Sequence, residues 1–253
     1  MSRSEVVFVW GCAVQPSGVG APLTHMHLNC WLLASLLKPK GKMPMLKNHR
    51  LAIVMATLVA AVVALFFYGE YQIGQIARDP RSLDMPNKVT LQDKTWSSRD
   101  RISLWAVHDD KVYKSVGASR DGKTVEVDLL NGVALLKANI AAPSTIGDIV
   151  FDVVNYDGQS VYKLHYNAAA ENGVGLGVWT INKSNGDVLA VAFSTGGDTI
   201  AFWGFELKML ASLTRDPATK QWTVEIRERA SDVPDALYTL IAGYKMSREL
   251  LKP

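Results

Sequence analysis

The residues Gly117-Ala118-Ser119-Arg120-Asp121-Gly122-Lys123-Thr124 spell G-x-x-x-x-G-K-[ST], the pattern of a phosphate-binding loop. In that chemistry Gly117 and Gly122 let the backbone approach phosphate, Lys123 reaches the terminal phosphates and the Thr124 hydroxyl meets magnesium. It also requires a helix that begins at Lys123-Thr124, so that free amides aim at the anion. Here Val125-Glu126-Val127-Asp128-Leu129 follows, alternating as a strand does, and Asn131-Gly132 would break a helix soon after. The expected structure is a hairpin turn, a decoy without a nucleotide cofactor, and a helix start at Lys123 would reverse that expectation.

Other chemistry-bearing residues are sparse. His108-Asp109-Asp110 is a weak metal-ligand candidate at a turn, with plain solvation the competing reading. His25 and His27 could share a metal, but no third ligand lies nearby, so no metal is expected. His165 is the other histidine of the C-terminal region. Gly173-Val174-Gly175-Leu176-Gly177 departs from G-x-G-x-x-G and opens a strand, so it reads as a loop or bulge. There is no G-x-S-x-G. Residues 70–253 hold 23 carboxylates, enough for acid–base pairs to meet in space. A carboxylate-dependent hydrolase is therefore the alternative to a non-enzymatic binding module. Trp96, Trp105, Trp179, Trp203 and Trp222 could stack on a ligand, though core packing explains them more simply.

These residues are carried behind an apolar run. Leu51 to Gly69, LAIVMATLVAAVVALFFYG, has no charge and no proline over 19 residues. At about 1.5 Å per residue it covers close to the hydrocarbon thickness of a bilayer, so the lipid bilayer is the expected partner of this segment. Charge is distributed unequally around it. Residues 1–50 hold six Lys/Arg and one acid, five of the six lying between Lys38 and Arg50, whereas residues 70–253 hold 21 Lys/Arg. Positive charge resists translocation, which predicts a cytoplasmic N-terminus and a periplasmic or extracellular C-terminal domain. Cleavage after Ala64 competes with a retained signal-anchor, but Leu65-Phe66-Phe67-Tyr68 follows it and no A-x-A pattern closes the run. Cys12 and Cys30 both precede the run, so the C-terminal domain folds without a disulfide. Its slightly negative charge excludes nucleic acid as an expected partner.

The first 42 residues mix apolar patches with Gly, Pro and His. Residues 20–37 lack charge and are a candidate second membrane segment, and Met43 or Met45 is an alternative start. Residues 70–100 read as a juxtamembrane linker. From 101 onward, strands are predicted at Ile102–Val107, Lys111–Val116, Thr124–Leu129, Ile149–Asn155, Ser160–Tyr166, Gly177–Asn182, Val188–Ser194, Thr199–Leu207 and Trp222–Arg229. Turn residues such as Tyr156-Asp157-Gly158 and Asn185-Gly186-Asp187 join them tightly, which makes neighbours antiparallel. Residues 130–147 follow no clear period. Asp232-Val233-Pro234-Asp235 then starts a helix over 233–251, with Asp232 able to cap and Leu237, Leu240, Ile241 and Tyr244 on one face.

The strand–turn units Ile149–Tyr162 and Val178–Leu189, and the closing Val233–Ala242 segment, resemble the tubby C-terminal-like superfamily, which includes LURP-one-related and scramblase-like proteins. The resemblance covers residues 100–251 and rests on arrangement. It implies an antiparallel barrel of about twelve strands around a hydrophobic C-terminal helix. The family's phosphoinositide-binding basic residues have no counterpart here, so no lipid site is carried over. The expected molecule is mainly β (α+β). Residues 1–50 form a basic segment, 51–69 a transmembrane signal-anchor, 70–100 a linker, and 101–253 a barrel-like strand meander with a packed C-terminal helix. The expected function is that of a membrane-anchored envelope protein whose exported domain is a binding or scaffold module.

Overall fold

The computed structural model describes residues 49–93, 100–130, 132–141, 148–167, 177–195 and 198–251. The expectations about residues 1–48, Trp96 and residues 173–176 lie outside the described residues. Helix α1, His49–Arg78, contains the apolar run and extends nine residues past it. Val54–Arg78 is long and apolar enough to cross a membrane, and none of its most apolar stretch is buried by protein. Val54, Leu58, Leu65 and Phe67 are each more than half exposed. A helical stretch apolar on every face, with no protein packed on it, is suited to an apolar solvent.

A short 3-10 turn, Pro80–Leu83, leads from α1 into twelve strands. These are β1 (Lys88–Asp93), β2 (Arg101–His108), β3 (Lys111–Ser119), β4 (Thr124–Asp128), β5 (Ala134–Ala141) and β6 (Asp148–Asn155). Then come β7 (Ser160–Asn167), β8 (Gly177–Lys183), β9 (Val188–Thr195), β10 (Thr199–Trp203), β11 (Met209–Arg215) and β12 (Trp222–Ile226). Each strand pairs antiparallel with its sequence neighbours, and β1 pairs with β12 as well as β2, closing the barrel. Closure leaves no edge strand with unpaired backbone groups.

Alternation sets the inside. Val89 and Leu91 of β1, Val125 and Val127 of β4, and Trp222, Val224 and Ile226 of β12 point inward and are almost fully buried. Turn chemistry sets the connections. Gly158 and Gly186 adopt φ of 76° and 99°, the left-handed region that only glycine enters without a Cβ penalty. Near their first residues the odd strands β3, β5, β7, β9 and β11 each carry one extra residue, Tyr113, Leu135, Val161, Leu189 and Leu210, opposite the ends of the even strands. All five lie toward one rim, here called proximal, which is the rim where β1 starts and to which α1 is joined. Such bulges bend a strand and sharpen its twist.

Helix α2, Asp235–Leu250, fills the barrel. Twelve of its sixteen residues are buried. It meets β2 to β5 on one side and β11 and β12 on another. Tyr244 stands edge-on to Phe151 at 4.8 Å, and Tyr238 edge-on to Phe202 at 5.1 Å, so β6 and β10 also contact it. Tyr166 stacks on Trp179 at 4.2 Å beside this cluster. A helix touched from all around has no solvent face, which is why Thr239, Ala242 and Gly243 are as buried as the leucines.

Several boundaries differ from the sequence expectation. Residues 70–100 are not a plain linker, because they contain the end of α1, the 3-10 turn and β1. Residues 130–147 contain β5, and β11 was not anticipated. Thr199–Leu207 is a strand only to Trp203, since Leu207 takes φ of 57° in the following turn. The helix begins at Asp235 with Pro234 at the cap position and no side-chain cap bond. Asp232 bonds the Lys183 ammonium instead, at 2.8 Å.

Candidate functional site

With α2 occupying the interior, functional groups have to be sought on the rims and the outer face. On the outer face of β2–β4, Arg101 reaches across β3 to Glu126, at 2.6 Å, and to Asp128. The period of two places Glu126 and Asp128 on the same face of β4. Gly117 lies between them and Arg101 in the ladder, where it pairs with Ser103 and Glu126. The Asp128 side chain is 1% exposed. Burial pushes its carboxyl up to about 6, the Glu126 charge adds to the rise, and Arg101 opposes it. Among the described residues this is a pair of carboxylates whose environments differ, as an acid–base pair requires. The burial of Asp128 beneath Arg101 keeps substrate away from it.

The 117–124 segment is the hairpin connecting β3 and β4. Thr124 opens β4 and no helix starts at Lys123. The amides of the turn are occupied within the turn. Lys123 N–H donates to Asp121 Oδ1 at 3.0 Å, and Thr124 N–H donates to Ser119 Oγ at 3.0 Å. Gly122 N–H donates to the Ser119 carbonyl at 2.9 Å. The Ser119 hydroxyl and the Lys123 amide hold the Asp121 carboxyl below the usual carboxylate range. An anion arriving here would face that carboxylate, and the exposed Lys123 ammonium lies 3.7 Å from it.

His108 ends β2 at the proximal rim, and Asp109 and Asp110 follow with φ of 47° and 61°. Its Nδ1 lies 2.6 Å from the Lys88 carbonyl and its Nε2 lies 3.3 Å from the Asp109 carboxylate. The Lys88 carbonyl accepts from an N–H on Nδ1, and the Asp109 carboxylate accepts from Nε2 only when that nitrogen also carries a proton. Asp110 is exposed and takes no part. Among the described residues, no three His, Cys, Asp or Glu side chains converge on a metal-sized site. His165 is exposed on the outer face of β7. Among the described residues the tryptophans do not form a row. Trp179 and Trp222 are sealed inside, whereas Trp105 and Trp203 face outward four strands apart.

Two proximal features were not legible in the sequence. In the first, Arg229 donates to Asp235 Oδ2 at 2.9 Å and to the Met85 carbonyl at 2.6 Å, while Met85 N–H donates to Asp235 at 3.2 Å. This latch ties the entry to β1 to the start of α2. In the second, Arg78 at the end of α1 makes a forked bond to Asp157 in the β6–β7 turn, at 2.8 and 3.0 Å, with its guanidinium 5.4 Å from the Tyr156 ring. A cavity of about 710 Å³ lies between these two features, bordered by Leu83, Asp84, Leu135 and Tyr162. The nearby Lys114 ammonium is held below its usual range by burial, partly offset by Asp84. Nothing here pairs a nucleophile with a base. No protein-family model matches the chain, and no curated protein matches it.

Proposed function

We propose that this protein is an envelope protein with a retained signal-anchor, N-terminus in the cytoplasm, whose exported barrel is a non-enzymatic binding or scaffold module at the bilayer surface. The observation that carries this reading is the combination of an apolar, unburied α1 with a barrel plugged by its own C-terminal helix. Such a barrel has its surface to offer, not a lumen. The antiparallel barrel around a C-terminal helix, eleven of its twelve strands within residues 100–251, also supports the resemblance of that region to the tubby C-terminal-like superfamily.

A second reading, a carboxylate-dependent hydrolase, draws on the raised Asp128 carboxyl beside Glu126. The burial of Asp128 under Arg101 weighs against it. The topology is tested by reporters fused after Pro253, one active only when exported and one fluorescent only in the cytoplasm. Activity of the first alone is the expected result; signal from the cytoplasmic reporter alone reverses the orientation.

A further inference from the structure

The proximal rim carries apolar side chains that the fold does not use. The turn between β10 and β11, Gly204–Lys208, projects Phe205 and Leu207 at 79% and 82% exposure. It is a closed turn, with Gly204 N–H donating to the Lys208 carbonyl at 3.0 Å and Leu207 N–H to the Gly204 carbonyl at 3.1 Å. Leu207 holds a left-handed backbone, a position where Gly or Asn is the easier choice and a bare leucine gains nothing from the turn itself. Behind the tip, Val188, Val191, Phe193 and Trp203 line an almost wholly apolar groove of about 680 Å³.

The placement of this tip identifies what it meets. Odd strands start and even strands end at the proximal rim, so the 204–208 turn shares the rim to which α1 is attached. Along α1, Gly74 is buried beside Tyr156 of the β6–β7 turn. The β6–β7 turn therefore meets α1 five residues past Gly69, about 7 Å along the helix. The headgroup layer on one side of a bilayer is about 5–7 Å thick. With Leu51–Gly69 in the hydrocarbon, the β6–β7 turn lies at headgroup level, on the rim that also carries the 204–208 turn. In the closed strand order the β10–β11 turn stands four strands of twelve from the β6–β7 turn that α1 touches, a third of the way around the rim.

We propose that Phe205 and Leu207 insert into the same bilayer as α1, with Trp203 at headgroup level, so that the barrel is held at two separate points of its rim. This rests on the membrane-anchor reading above. Apolar residues flanked by Trp are suited to the interface. Lys208 is paired to Glu206 at 2.7 Å and to Glu228 at 3.3 Å, so the tip has no unpaired cation for anionic lipid. Uncharged phosphatidylcholine is therefore sufficient.

The test uses the full chain with Cys12→Ser and Cys30→Ser, reconstituted in phosphatidylcholine vesicles. An environment-sensitive fluorophore is placed on a single cysteine at Phe205→Cys, at Leu58→Cys within α1, or at Ala218→Cys on the opposite rim. Spin-labelled lipid should quench positions 58 and 205 and leave 218 bright, and aqueous iodide should quench 218 alone. If 58 is not quenched by lipid, the anchor reading has failed. If 58 is quenched but 205 behaves like 218, the anchor stands and the second contact is overturned. If 205 is shielded from both quenchers, another copy or another protein covers the tip, which also overturns the proposal.

Discussion

The Arg101 guanidinium lies in the space that a Cβ at Gly117 would occupy. Arg101 can cross β3 to the carboxylates of β4 only because residue 117 has no side chain. The first glycine of the apparent phosphate loop is thus explained by an ion pair on the outer face of the barrel.

Gly117→Ala should expel Arg101 and leave Asp128 buried without its partner. We expect a loss of about 1–3 kcal/mol, the range for overpacking and broken buried pairs. Lys123→Ala, in the same hairpin, removes only an exposed side chain and should change stability by less than about 0.5 kcal/mol. Urea denaturation of both variants in one detergent checks this. ATP with magnesium should leave the melting temperature of the unmodified protein unchanged, and a shift lost in Lys123→Ala would restore the phosphate-loop reading.

Asp128 predicts a pH dependence. Its folded value of about 6 lies above the 3.8 of a free aspartate, so the folded state holds this proton more tightly. The group's contribution is then complete below about pH 4 and is lost as pH rises through about 6. Asp128→Asn lacks the titration. Its stability relative to the unmodified protein should improve between about pH 4 and pH 7, by no more than about 3 kcal/mol. Denaturation curves of both proteins across that range give the sign. Movement in the opposite direction would mean that Arg101 dominates and holds the carboxylate ionised.

Leu240→Asp should abolish the cooperative fold. Leu240 is 1% exposed at the centre of α2, and removing its burial costs about 1.5–3 kcal/mol before the charge is counted. An unpaired carboxylate inside the barrel adds several kcal/mol more, against a net stability of about 5–15 kcal/mol for a whole domain. Gly243→Ala is the graded companion, because its new methyl would collide with Val116 on β3, costing about 1–3 kcal/mol. Near-ultraviolet circular dichroism reports the packing of Trp179 and Tyr244. An unchanged spectrum and melting temperature in Leu240→Asp would mean that α2 is not the core.

The apolar run of α1, nine of the twelve strands and the final helix were legible in the residues alone. Those features are local. A charge-free stretch, a period of two closed by Asp-Gly or Asn-Gly, and a period near 3.6 each show within a dozen residues. The strands β1, β5 and β11 were hidden because Lys88–Asp93 is short and polar, while Ala134–Ala141 and Met209–Arg215 mix Ala and Leu with polar residues without strict alternation. They are strands because each fills a place between partners already in register, a non-local effect that overrides weak propensity. Glu126 and Asp128 could be placed on one face from sequence, but Arg101, 25 and 27 positions away, could not. The pattern of α2 shows one apolar face, yet only the closed barrel determines that the opposite face, with Thr239, Ala242 and Gly243, is buried too. The direction of Phe205 and Leu207 was likewise decided by tertiary structure. Read as the end of a strand they would have been core, and the turn after Trp203 places them on the rim that carries α1.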